Sequence, residues 1–494
     1  MAEAVPLGEL LTRMARAAPE RPAITSEGQT ITRAGLEARA NQLARAYAAR
    51  GARPGDMVTV ALPNGIEFYA ATFALWKLGA IPQLISPSLP PRERDAILDL
   101  AAPALIVGDA GDDATPGRPA TLPAGYVPDP GLSSAPIEPP RVSPSWKAPT
   151  SGGSTGRPKL IVSGLPGAID PVYYGEFLGQ RDGDVQLVTG PLYHNAPFNF
   201  SMYGLLSGQH LVVLPKFDAL AALDAIRAYR VTWIGLVPTM MSRIAREIER
   251  NPGRHDISSL TAVWHGAAPC PAWLKRRWIT LVGAPGLHEM YATTEGQMMT
   301  HIDGTDWLAH PGSVGKPILG QVKILGPDGA ELPPGTEGEI CTLPGDGQPP
   351  SYRYIGAQSR QIAGWDAVGD LGWTDDEGYL YVSDRRTDLI ISGGANIYPA
   401  EVEAALTEHP AVHACAVIGL PDDDLGQRAH ALIEASAPIP DGELRDFLRE
   451  RLARYKVPRG FTFTSQPLRD DAGKVRRREL RALAQPSGEP PDAA

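Results

Sequence analysis

The segment 150–159 has the composition of a phosphate-binding loop. It reads Thr-Ser-Gly-Gly-Ser-Thr-Gly-Arg-Pro-Lys, so three glycines and four hydroxyl side chains precede a lysine. Glycine lets backbone N–H groups turn toward a ligand, hydroxyls add donors, and Lys159 offers a counter-charge for phosphate oxygens. The segment is not a Walker A loop, in which Gly-Lys-Ser/Thr runs straight into a helix. Composition alone leaves a flexible Gly/Ser linker open as the alternative.

The segment 288–296 combines an aromatic ring, hydroxyl groups and a carboxylate. It reads His-Glu-Met-Tyr-Ala-Thr-Thr-Glu-Gly. Tyr291 can stack on a base, Thr294 can contact a phosphate, and Glu295 can hold a hard cation. One carboxylate is chemically sufficient for Mg²⁺, which takes its other ligands from substrate phosphates and water. On their own, however, these residues favour a simpler structure, a helix N-terminus capped by Thr294.

Together with further short motifs, these two segments resemble the adenylate-forming superfamily, in its acyl- and aryl-CoA synthetase (AMP-binding enzyme) branch. The other motifs are residues 191–198, 264–269, 369–372, 384–388, 391–403 and 471–480. Each fragment alone is ordinary, and their order along the chain carries the resemblance. The sequence departs from the family pattern in the phosphate loop, with Ser-Gly-Gly-Ser-Thr-Gly for Ser-Gly-Thr-Thr-Gly, and at Ala292, which replaces a glycine.

The resemblance implies an ATP site with Mg²⁺. The implied ATP-binding residues are Thr150, Ser151, Gly152, Gly153, Ser154, Thr155, Gly156, Lys159, Gly266, Ala267, Ala268, Tyr291, Thr294, Asp370 and Arg385. Tyr291 would pack on adenine, and Asp370 and Arg385 would bind the ribose. Glu295 would bind the metal and Thr294 the α-phosphate. Lys474 would bridge the substrate carboxylate and the α-phosphate, because a fixed cation lowers the barrier between two anions.

The resemblance also implies an acyl pocket and a coenzyme A channel. The expected pocket residues are Phe198, Phe200, Ser201, Trp264, His265, Gly266, Gly296 and Met298. His194, a further candidate catalytic residue, would stand at the gate between pocket and channel, and Gly393 and Gly394 would face the channel after the small domain rotates. Thr387 takes the hinge position, where the family usually has Asp or Lys. Aromatic walls favour an aryl or alicyclic acid. No positive charge is evident there to recognise a second carboxylate.

An α/β fold must position these motifs. Strands and helices alternate over residues 57–107 and 185–236, which predicts parallel sheets covered by helices on both faces. Residues 108–149 are interpreted as a surface loop, and a β-rich piece follows over 311–383. We predict an N-terminal ATP- and acyl-binding domain over 1–385, a small mobile α+β lid domain over 386–484 and a disordered tail over 485–494.

Composition excludes several other classes of protein. The chain has 494 residues, which indicates more than one domain. The net charge of −10 argues against a nucleic-acid binder and against a basic membrane-docking surface. Three widely spaced cysteines fit neither a disulfide framework nor a zinc site. Neither a signal peptide nor an apolar stretch of membrane-spanning length is evident, so we expect a cytoplasmic protein.

The sequence therefore predicts an ATP-dependent carboxylic acid–CoA ligase acting on an aryl, alicyclic or medium-size acid. An acyl-adenylate would form with release of pyrophosphate, and coenzyme A would then displace AMP. One alternative is transfer of the acyl group to a carrier protein, an amine or an inorganic nucleophile. Another is a non-catalytic adenylate-binding scaffold. The oligomeric state, with a homodimer among the options, stays open.

Overall fold

The computed structural model describes residues 4–109, 119–152, 158–422, 424–470, 473–475 and 477–484. Within these ranges no helix is both long enough and apolar enough to cross a membrane.

The first part of the chain builds a small parallel sheet beside a group of helices. Its elements are β1 (Val5–Pro6), α1 (Leu7–Ala17), β2 (Pro22–Ser26), β3 (Gln29–Thr32), α2 (Arg33–Ala49), β4 (Met57–Val60), α3 (Ile66–Leu78), β5 (Ile81–Leu84), α4 (Pro91–Ala101), β6 (Leu105–Val107) and β7 (Ala120–Leu122). The strand order is β5-β4-β6-β7, all parallel. Helix α3 is apolar around nearly its whole circumference, so it is buried rather than amphipathic.

The second part builds a nine-stranded sheet. Its elements are β8 (Thr150–Gly152), β9 (Pro158–Ser163), β10 (Ala168–Ile169), α5 (Pro171–Leu178), β11 (Val185–Val188), α6 (Asn195–Leu206), β12 (His210–Val213), α7 (Ala219–Tyr229), β13 (Trp233–Leu236), α8 (Pro238–Arg250), β14 (Ala262–His265), α9 (Ala272–Val282), β15 (Leu287–Ala292), β16 (Met299–Asp303), α10 (Gly304–Ala309) and β17 (Lys316–Leu319). The order is β17-β16-β15-β14-β13-β11-β12-β2-β3. The six strands from β15 to β2 are parallel, so their carboxyl ends share one edge.

Helices cover both faces of this sheet. On one face α2, α3 and α6 pack in a large core that extends to the first sheet, and on the other α7, α8 and α9 form a second core. The parallel sheets were predicted from the alternation of strands and helices, and the α/β fold class is confirmed.

A β-rich subdomain follows. Its strands are β18 (Gln321–Leu325), β19 (Gly338–Leu343), β20 (Tyr352–Ile355), β21 (Gln361–Ile362), β22 (Trp365–Thr374) and β23 (Leu380–Arg385). Strands β18, β19, β22, β21 and β23 pair antiparallel, whereas β20 leaves this group and pairs with β9. The pairing of β20 with β9 joins the subdomain to the strand that follows the predicted phosphate loop.

The last part of the chain has a sheet of its own. Its elements are β24 (Ile390–Ser392), β25 (Ala395–Ile397), α11 (Pro399–Thr407), β26 (Val412–Asp422), β27 (Gly426–Ala435), α12 (Asp441–Arg449), β28 (Gly460–Phe463) and α13 (Arg477–Ala484). In the described residues its strands pair only with one another, in the order β25-β24-β27-β26 with β28 beside β27. Helices α11 and α12 cover one face and α13 the other.

Several contacts dock this C-terminal unit onto the rest of the chain. The Arg246 guanidinium on α8 donates to the carbonyl of Val412 (2.5 Å) and contacts Nδ1 of His413 (2.9 Å). The Trp273 indole donates to the hydroxyl of Thr407 (3.5 Å). The Tyr398 hydroxyl donates to Glu337, and Gly473 packs on Val237 and Thr239 at the start of α8. These contacts fix the orientation in which the C-terminal motifs meet the site.

Candidate active site

The carboxyl edge of the parallel strands gathers most of the predicted motifs. The loops after β11, β13, β14 and β15 leave from this edge, and they carry His194, the start of α8, residues 266–268 and residues 293–296. Ligands of open α/β sheets bind outside the carboxyl ends of the strands, where loops with free side chains converge. This edge is therefore the candidate active site.

Strand pairing brings Asp370 and Arg385 together, and a side-chain hydrogen bond joins Tyr291 of another sheet to them. Asp370 on β22 lies opposite Arg385 on β23, and its Oδ1 is 3.6 Å from the Arg385 Nε. The Tyr291 hydroxyl at the end of β15 donates to the Asp370 Oδ2 (2.7 Å). Burial raises the pKa of Asp370, while Arg385 and the tyrosine hydrogen bond oppose the shift. A carboxylate held between a phenol and a guanidinium offers paired acceptors for vicinal hydroxyls.

Glu295 is held by residues that the sequence analysis did not select. The Tyr354 hydroxyl on β20 donates to its carboxylate, and the Ser351 hydroxyl donates to its backbone carbonyl (2.8 Å). Lys159 on β9 lies 3.5 Å from the Glu295 Oε1 and 4.0 Å from the centre of the Tyr354 ring. The sequence did not predict a role for Tyr354 or Ser351. They reach Glu295 because β20 pairs with β9, and no sequence pattern indicates that pairing.

The structure places Thr294 and Glu295 in a turn between the antiparallel strands β15 and β16. The simpler alternative, a helix start capped by Thr294, is therefore wrong.

The donor set around Glu295 fits Mg²⁺. Within the described ranges no group of three or more His, Cys, Asp or Glu side chains could form a protein cage for a metal. Mg²⁺ keeps waters and substrate phosphates as ligands and needs few carboxylates, so a single half-buried glutamate beside a lysine matches this ion rather than a structural metal.

The predicted phosphate loop is described only at its two ends. Gly153, Ser154, Thr155 and Gly156 lie outside the described residues. Strands β8 and β9 on either side pair antiparallel, with Thr150 opposite Leu160. The Gln83 amide donates to the Thr150 hydroxyl (3.0 Å), so β5 anchors the entrance of the loop. The backbone of Ser151 and Gly152 continues β8.

Lys474 lies close enough to Arg385 and Glu295 to interact electrostatically with both. Desolvation lowers the pKa of Lys474 and the Arg385 charge adds to this, whereas Asp470 and Glu295 oppose it. The Asp470 carboxylate accepts from the Lys474 backbone N–H (2.9 Å) and shapes the turn. Gly473 has φ +76°, and a Cβ there would lie only 3.2 Å from Val237, so glycine lets the turn dock on the carboxyl edge.

Two arginines on either side of Lys474 hold its segment in the C-terminal unit. Arg469 and Arg477 both pair with Glu403 on α11, at 2.9 and 2.8 Å, and Arg477 also pairs with Asp388 (2.7 Å). The sequence indicates only a basic run around Lys474, ordinarily a solvated surface. In the structure Arg477 instead joins the segment after Thr387 to α11 and the Lys474 turn.

The backbone of the turn 266–268 packs directly against the backbone of the neighbouring strand β15, beside Tyr291. A Cβ on Gly266 would lie 2.6 Å from the carbonyl oxygen of Met290, so only glycine fits at the end of β14. Ala267 has φ +66°, which is uncommon for a residue with a Cβ. Ala268 follows in the same turn. The strained turn places these residues next to the predicted adenine-binding tyrosine.

The residues predicted for the acyl pocket do not form one cluster. Phe200 packs edge-on against Trp233 (5.1 Å between ring centres) and tilted against Trp264 (6.3 Å). Phe200, Pro197 and the ends of β11 and β13 line a small, partly open cleft. Phe200 and Trp264 therefore lie together on one side of α6.

Other predicted pocket residues lie elsewhere. Phe198 faces the opposite side of α6, where it packs against Trp76 and Trp146, and Ser201 donates to the Phe198 carbonyl. His265 is fully buried on the other face of β14, beside the pair formed by Lys275 and Glu289. Met298 packs in the core of the β-rich subdomain, and Gly296 is exposed. Residue type alone could not show which face of a strand or helix each side chain takes.

The remaining predicted positions lie in loops. His194 is half-buried at the N-cap of α6, with its ring centre 4.5 Å from that of Tyr193. Gly393 and Gly394 form the exposed turn between β24 and β25, with φ +56° and +82°. Thr387 is exposed in the short connection between β23 and β24.

Models of two protein families match the chain. The model described as AMP-binding enzyme matches residues 11–345, and the one described as AMP-binding enzyme C-terminal domain matches residues 401–474. Among curated relatives, the 2-succinylbenzoate–CoA ligase of Bacillus licheniformis is 32% identical over 483 residues, which covers 95% of this chain and 98% of the relative. The ligase of the same name from Bacillus cereus is 31% identical over 480 residues, with 94% and 96% covered.

Solved structures of related enzymes also match nearly the whole chain. The o-succinylbenzoate CoA synthetase of Bacillus subtilis, in complex with its acyl-adenylate intermediate, superposes with a TM-score of 0.82 at 30% identity and covers 97% of this chain and 98% of its own. The same synthetase with ATP and magnesium gives 0.79 at 30% identity, with 97% and 100% covered. An amide bond synthetase from Marinactinospora thermotolerans gives 0.79 at 25% identity, also with 97% and 100% covered.

Proposed function

Because the chain belongs to the AMP-binding enzyme family, we propose that it is an ATP-dependent carboxylic acid–CoA ligase that activates an aryl or alicyclic acid. One observation carries this proposal: the Asp370 carboxylate held by Tyr291 and Arg385, and the Glu295 carboxylate held by Tyr354 and Lys159, lie at the edge of the sheet where the turn that bears Lys474 docks. A cation, a metal-binding carboxylate and a ribose-binding carboxylate thus meet at one edge of the sheet. The reaction needs these groups in the same place.

The first half-reaction joins the acid to AMP. A carboxylate oxygen of the acid attacks the α-phosphorus of ATP, and the bond from that phosphorus to the bridging oxygen breaks, so pyrophosphate leaves with the electron pair. Lys474 offsets the repulsion between the two anions. Tyr291, Asp370 and Arg385 hold the nucleoside, and Lys159 faces the phosphates. Glu295 would hold Mg²⁺, which neutralises phosphate charge.

The second half-reaction forms the thioester. The thiolate of coenzyme A attacks the acyl carbon, and AMP leaves because a mixed anhydride is a good electrophile. We assign His194, at the start of α6, to the gate between the thiol channel and the acyl pocket. For Gly393 and Gly394 to reach the channel, the C-terminal unit would rotate about Thr387, which removes Lys474 from the site.

We propose the domain division that the sequence predicts: an N-terminal ATP- and acyl-binding domain over 1–385, a lid domain over 386–484 and a tail over 485–494.

The acid class follows from the walls of the site and from the relatives. Phe200 lines the cleft on α6, and the buried rings of Trp233 and Trp264 pack behind it. Pockets lined with aromatic side chains suit ring-bearing ligands. The curated relatives are named for 2-succinylbenzoate, an aryl acid. An aryl acid is therefore the first substrate class to test.

A second candidate is transfer of the acyl group to an acceptor other than coenzyme A. The structural likeness to an amide bond synthetase favours an amine as that acceptor. A carrier protein would keep the same adenylation residues, and a non-catalytic scaffold would not need Lys474 or Glu295. A cytoplasmic location stays part of the proposal, and the oligomeric state, with a homodimer among the options, stays open.

The test is ATP-dependent pyrophosphate release across aliphatic, aryl, cinnamic and alicyclic acids, with and without coenzyme A. We expect aryl or alicyclic acids to give release that coenzyme A accelerates, with AMP and a thioester as products. Release that coenzyme A leaves unchanged, but an amine accelerates, would favour the second candidate. No release with any acid would favour the scaffold. Lys474→Ala is the control for adenylation by this site.

The docking contact at Arg246 yields a prediction about domain orientation. Arg246→Ala removes the donor to Val412 and the contact with His413, and each charge-assisted hydrogen bond is worth about 1.5–3 kcal/mol. The orientation that presents Lys474 becomes less populated, so we expect the single-turnover rate of pyrophosphate release to fall roughly tenfold. Thioester formation from a supplied acyl-adenylate should not fall with it.

Arg250→Ala is the matched control for this prediction, because Arg250 lies on the same helix but is exposed. Equal effects of the two substitutions on both half-reactions would show that Arg246 does not govern the orientation of the C-terminal unit.

A further inference from the structure

Asp366, the second residue of β22, carries a buried carboxylate that accepts hydrogen bonds from three side chains. The residue is 9% exposed. The Gln297 amide (2.6 Å) and the Tyr352 hydroxyl (2.7 Å) donate to its Oδ2, and the Gln361 amide donates to its Oδ1 (3.0 Å). Burying a carboxylate is costly unless hydrogen bonds replace those of water, so a position that only fills space favours an apolar side chain. The donors of Asp366 therefore indicate what the residue does.

Gln297 connects Asp366 to the turn that carries Glu295. It lies two positions after Glu295, between β15 and β16, and is itself buried. Its amide nitrogen donates to Asp366, and its amide oxygen accepts from the hydroxyl of Thr342 (2.8 Å). Thr342 on β19 lies opposite Asp366 on β22. The β-rich subdomain thus fixes both polar atoms of the Gln297 side chain, which restrains one side of the Glu295 turn.

Tyr352 connects Asp366 to the side chains that contact Glu295. Tyr352 and Tyr354 both lie on β20, and their rings meet edge to face with 4.8 Å between centres. The Tyr352 hydroxyl donates to Asp366, whereas the Tyr354 hydroxyl donates to the Glu295 carboxylate. Ser351, one position before Tyr352, donates to the Glu295 carbonyl (2.8 Å). Asp366 therefore anchors the segment from which both of these hydrogen bonds to Glu295 are made.

We propose that Asp366 is a positioning residue for the metal-binding carboxylate, acting on Glu295 through Gln297 and Tyr352. This inference rests on the proposed function, in which Glu295 would hold Mg²⁺. Mg²⁺ demands near-ideal octahedral geometry, so a single protein carboxylate has to be held in one orientation. Partners that orient a metal ligand typically change metal affinity 10–100-fold when they are replaced. The carboxylate oxygens of Asp366 are engaged by their own donors, so the effect on the metal passes through Glu295.

The test measures metal binding without turnover. In α,β-methylene-ATP a methylene group replaces the bridging oxygen at which adenylation cleaves ATP, so EPR spectra of Mn²⁺ report the enzyme-bound metal in a static complex. Asp366→Asn keeps the volume of the side chain but turns an amide donor toward one of the three donors. We expect the half-saturating Mn²⁺ concentration to rise about tenfold. Pyrophosphate release from ATP should be slowed at limiting Mg²⁺ and should recover toward the wild-type rate at saturating Mg²⁺.

Asp375→Asn is the matched control, because Asp375 is a second hydrogen-bonded carboxylate at the other end of β22. It accepts from the Tyr381 hydroxyl (3.2 Å) and from the backbone N–H groups of Glu377 and Tyr379 (3.0 and 2.9 Å). We expect Asp375→Asn to lower the melting temperature but to leave the half-saturating Mn²⁺ concentration unchanged.

Two further variants test the two connections separately. Gln297→Met removes the amide and keeps the length of the side chain, and Tyr352→Phe removes only the hydroxyl. Each breaks one of the two connections to Glu295, so each should raise the half-saturating Mn²⁺ concentration by less than Asp366→Asn does. If neither variant changes Mn²⁺ binding, Asp366 does not act by this route and the inference is overturned.

The double variant Glu295→Gln/Asp366→Asn shows whether Asp366 acts through Glu295. If it does, Asp366→Asn weakens Mn²⁺ binding in the wild-type background but not in the Glu295→Gln background. Equal weakening in both backgrounds, or a lower melting temperature with unchanged Mn²⁺ binding, overturns the inference. If Glu295→Gln leaves Mn²⁺ binding unchanged while the wild type releases pyrophosphate, the inference is overturned and the ligase function stands. If the wild type neither binds Mn²⁺ with the analogue nor releases pyrophosphate, both proposals fail.

Discussion

Replacing Lys474 with alanine is expected to slow acyl-adenylate formation by roughly 10²–10³-fold, the usual cost of removing one preorganised charged or polar group from a transition state. The acid and the α-phosphate are both anionic, and Lys474 is a cation of the C-terminal unit that interacts electrostatically with Arg385 and Glu295. Thioester formation from a supplied acyl-adenylate should fall far less, because that step no longer joins two anions. Both rates can be measured by quenched-flow analysis of pyrophosphate and thioester.

Lys456→Ala is the matched control, because Lys456 lies in the same unit but pairs with Glu401 (2.7 Å). Its adenylation rate should stay near that of the wild type. Equal losses in both half-reactions for Lys474→Ala, with unchanged thermal stability, would contradict the assigned role.

The second large effect is expected at Glu295. Glu295→Gln keeps a side chain that can accept from Tyr354, but it removes the negative charge beside Lys159. Mg²⁺ binds carboxylate oxygens far better than amide oxygens. We therefore expect adenylation to fall by roughly two orders of magnitude, comparable to the loss of another electrostatic catalytic group, with the half-saturating Mg²⁺ concentration raised. The measurement is pyrophosphate release as a function of Mg²⁺ at fixed ATP.

Two controls separate the charge from the local structure. Tyr354→Phe removes only the hydroxyl that donates to Glu295, so it should cost much less than Glu295→Gln. Glu377→Gln changes an exposed glutamate of the β-rich subdomain and should have no effect. If Glu295→Gln and Tyr354→Phe lowered the rate equally without a change in the Mg²⁺ dependence, Glu295 would serve to order the loop rather than to hold the metal.

The fold was predictable where the chain carries local signals. Apolar strands bounded by turn residues, followed by helices, indicated the parallel sheets, and β4, β5, β11, β12 and β13 all lie in the two segments, 57–107 and 185–236, for which this alternation was predicted. Strand β7 was missed, because Ala120–Leu122 is a three-residue edge strand inside a segment rich in Ala, Pro and Gly. Such a strand is stabilised by pairing with β6, not by its own sequence.

Sequence motifs predicted many of the site residues, but they did not predict how these residues are arranged in space. Tyr291, Asp370 and Arg385 were named from separate motifs; strand pairing joins Asp370 to Arg385, and a hydrogen bond joins Tyr291 to Asp370. Tyr354 and Arg477 carry no motif, and their importance follows from partners that are distant in sequence. His265 and Phe198 were predicted for the acyl pocket because they lie in motifs. Their side chains point away from the cleft beside Phe200, so this prediction was wrong.

The central claim is that this chain adenylates an acid and then transfers the acyl group to a thiol. A chase experiment tests it most directly. The enzyme is mixed with MgATP and an activated aryl acid without coenzyme A, and bound acyl-AMP and pyrophosphate are quantified before coenzyme A is added. We expect stoichiometric acyl-AMP and pyrophosphate, followed by equal amounts of AMP and thioester. Formation of ADP and phosphate, or acyl-AMP that coenzyme A does not consume, would contradict the account.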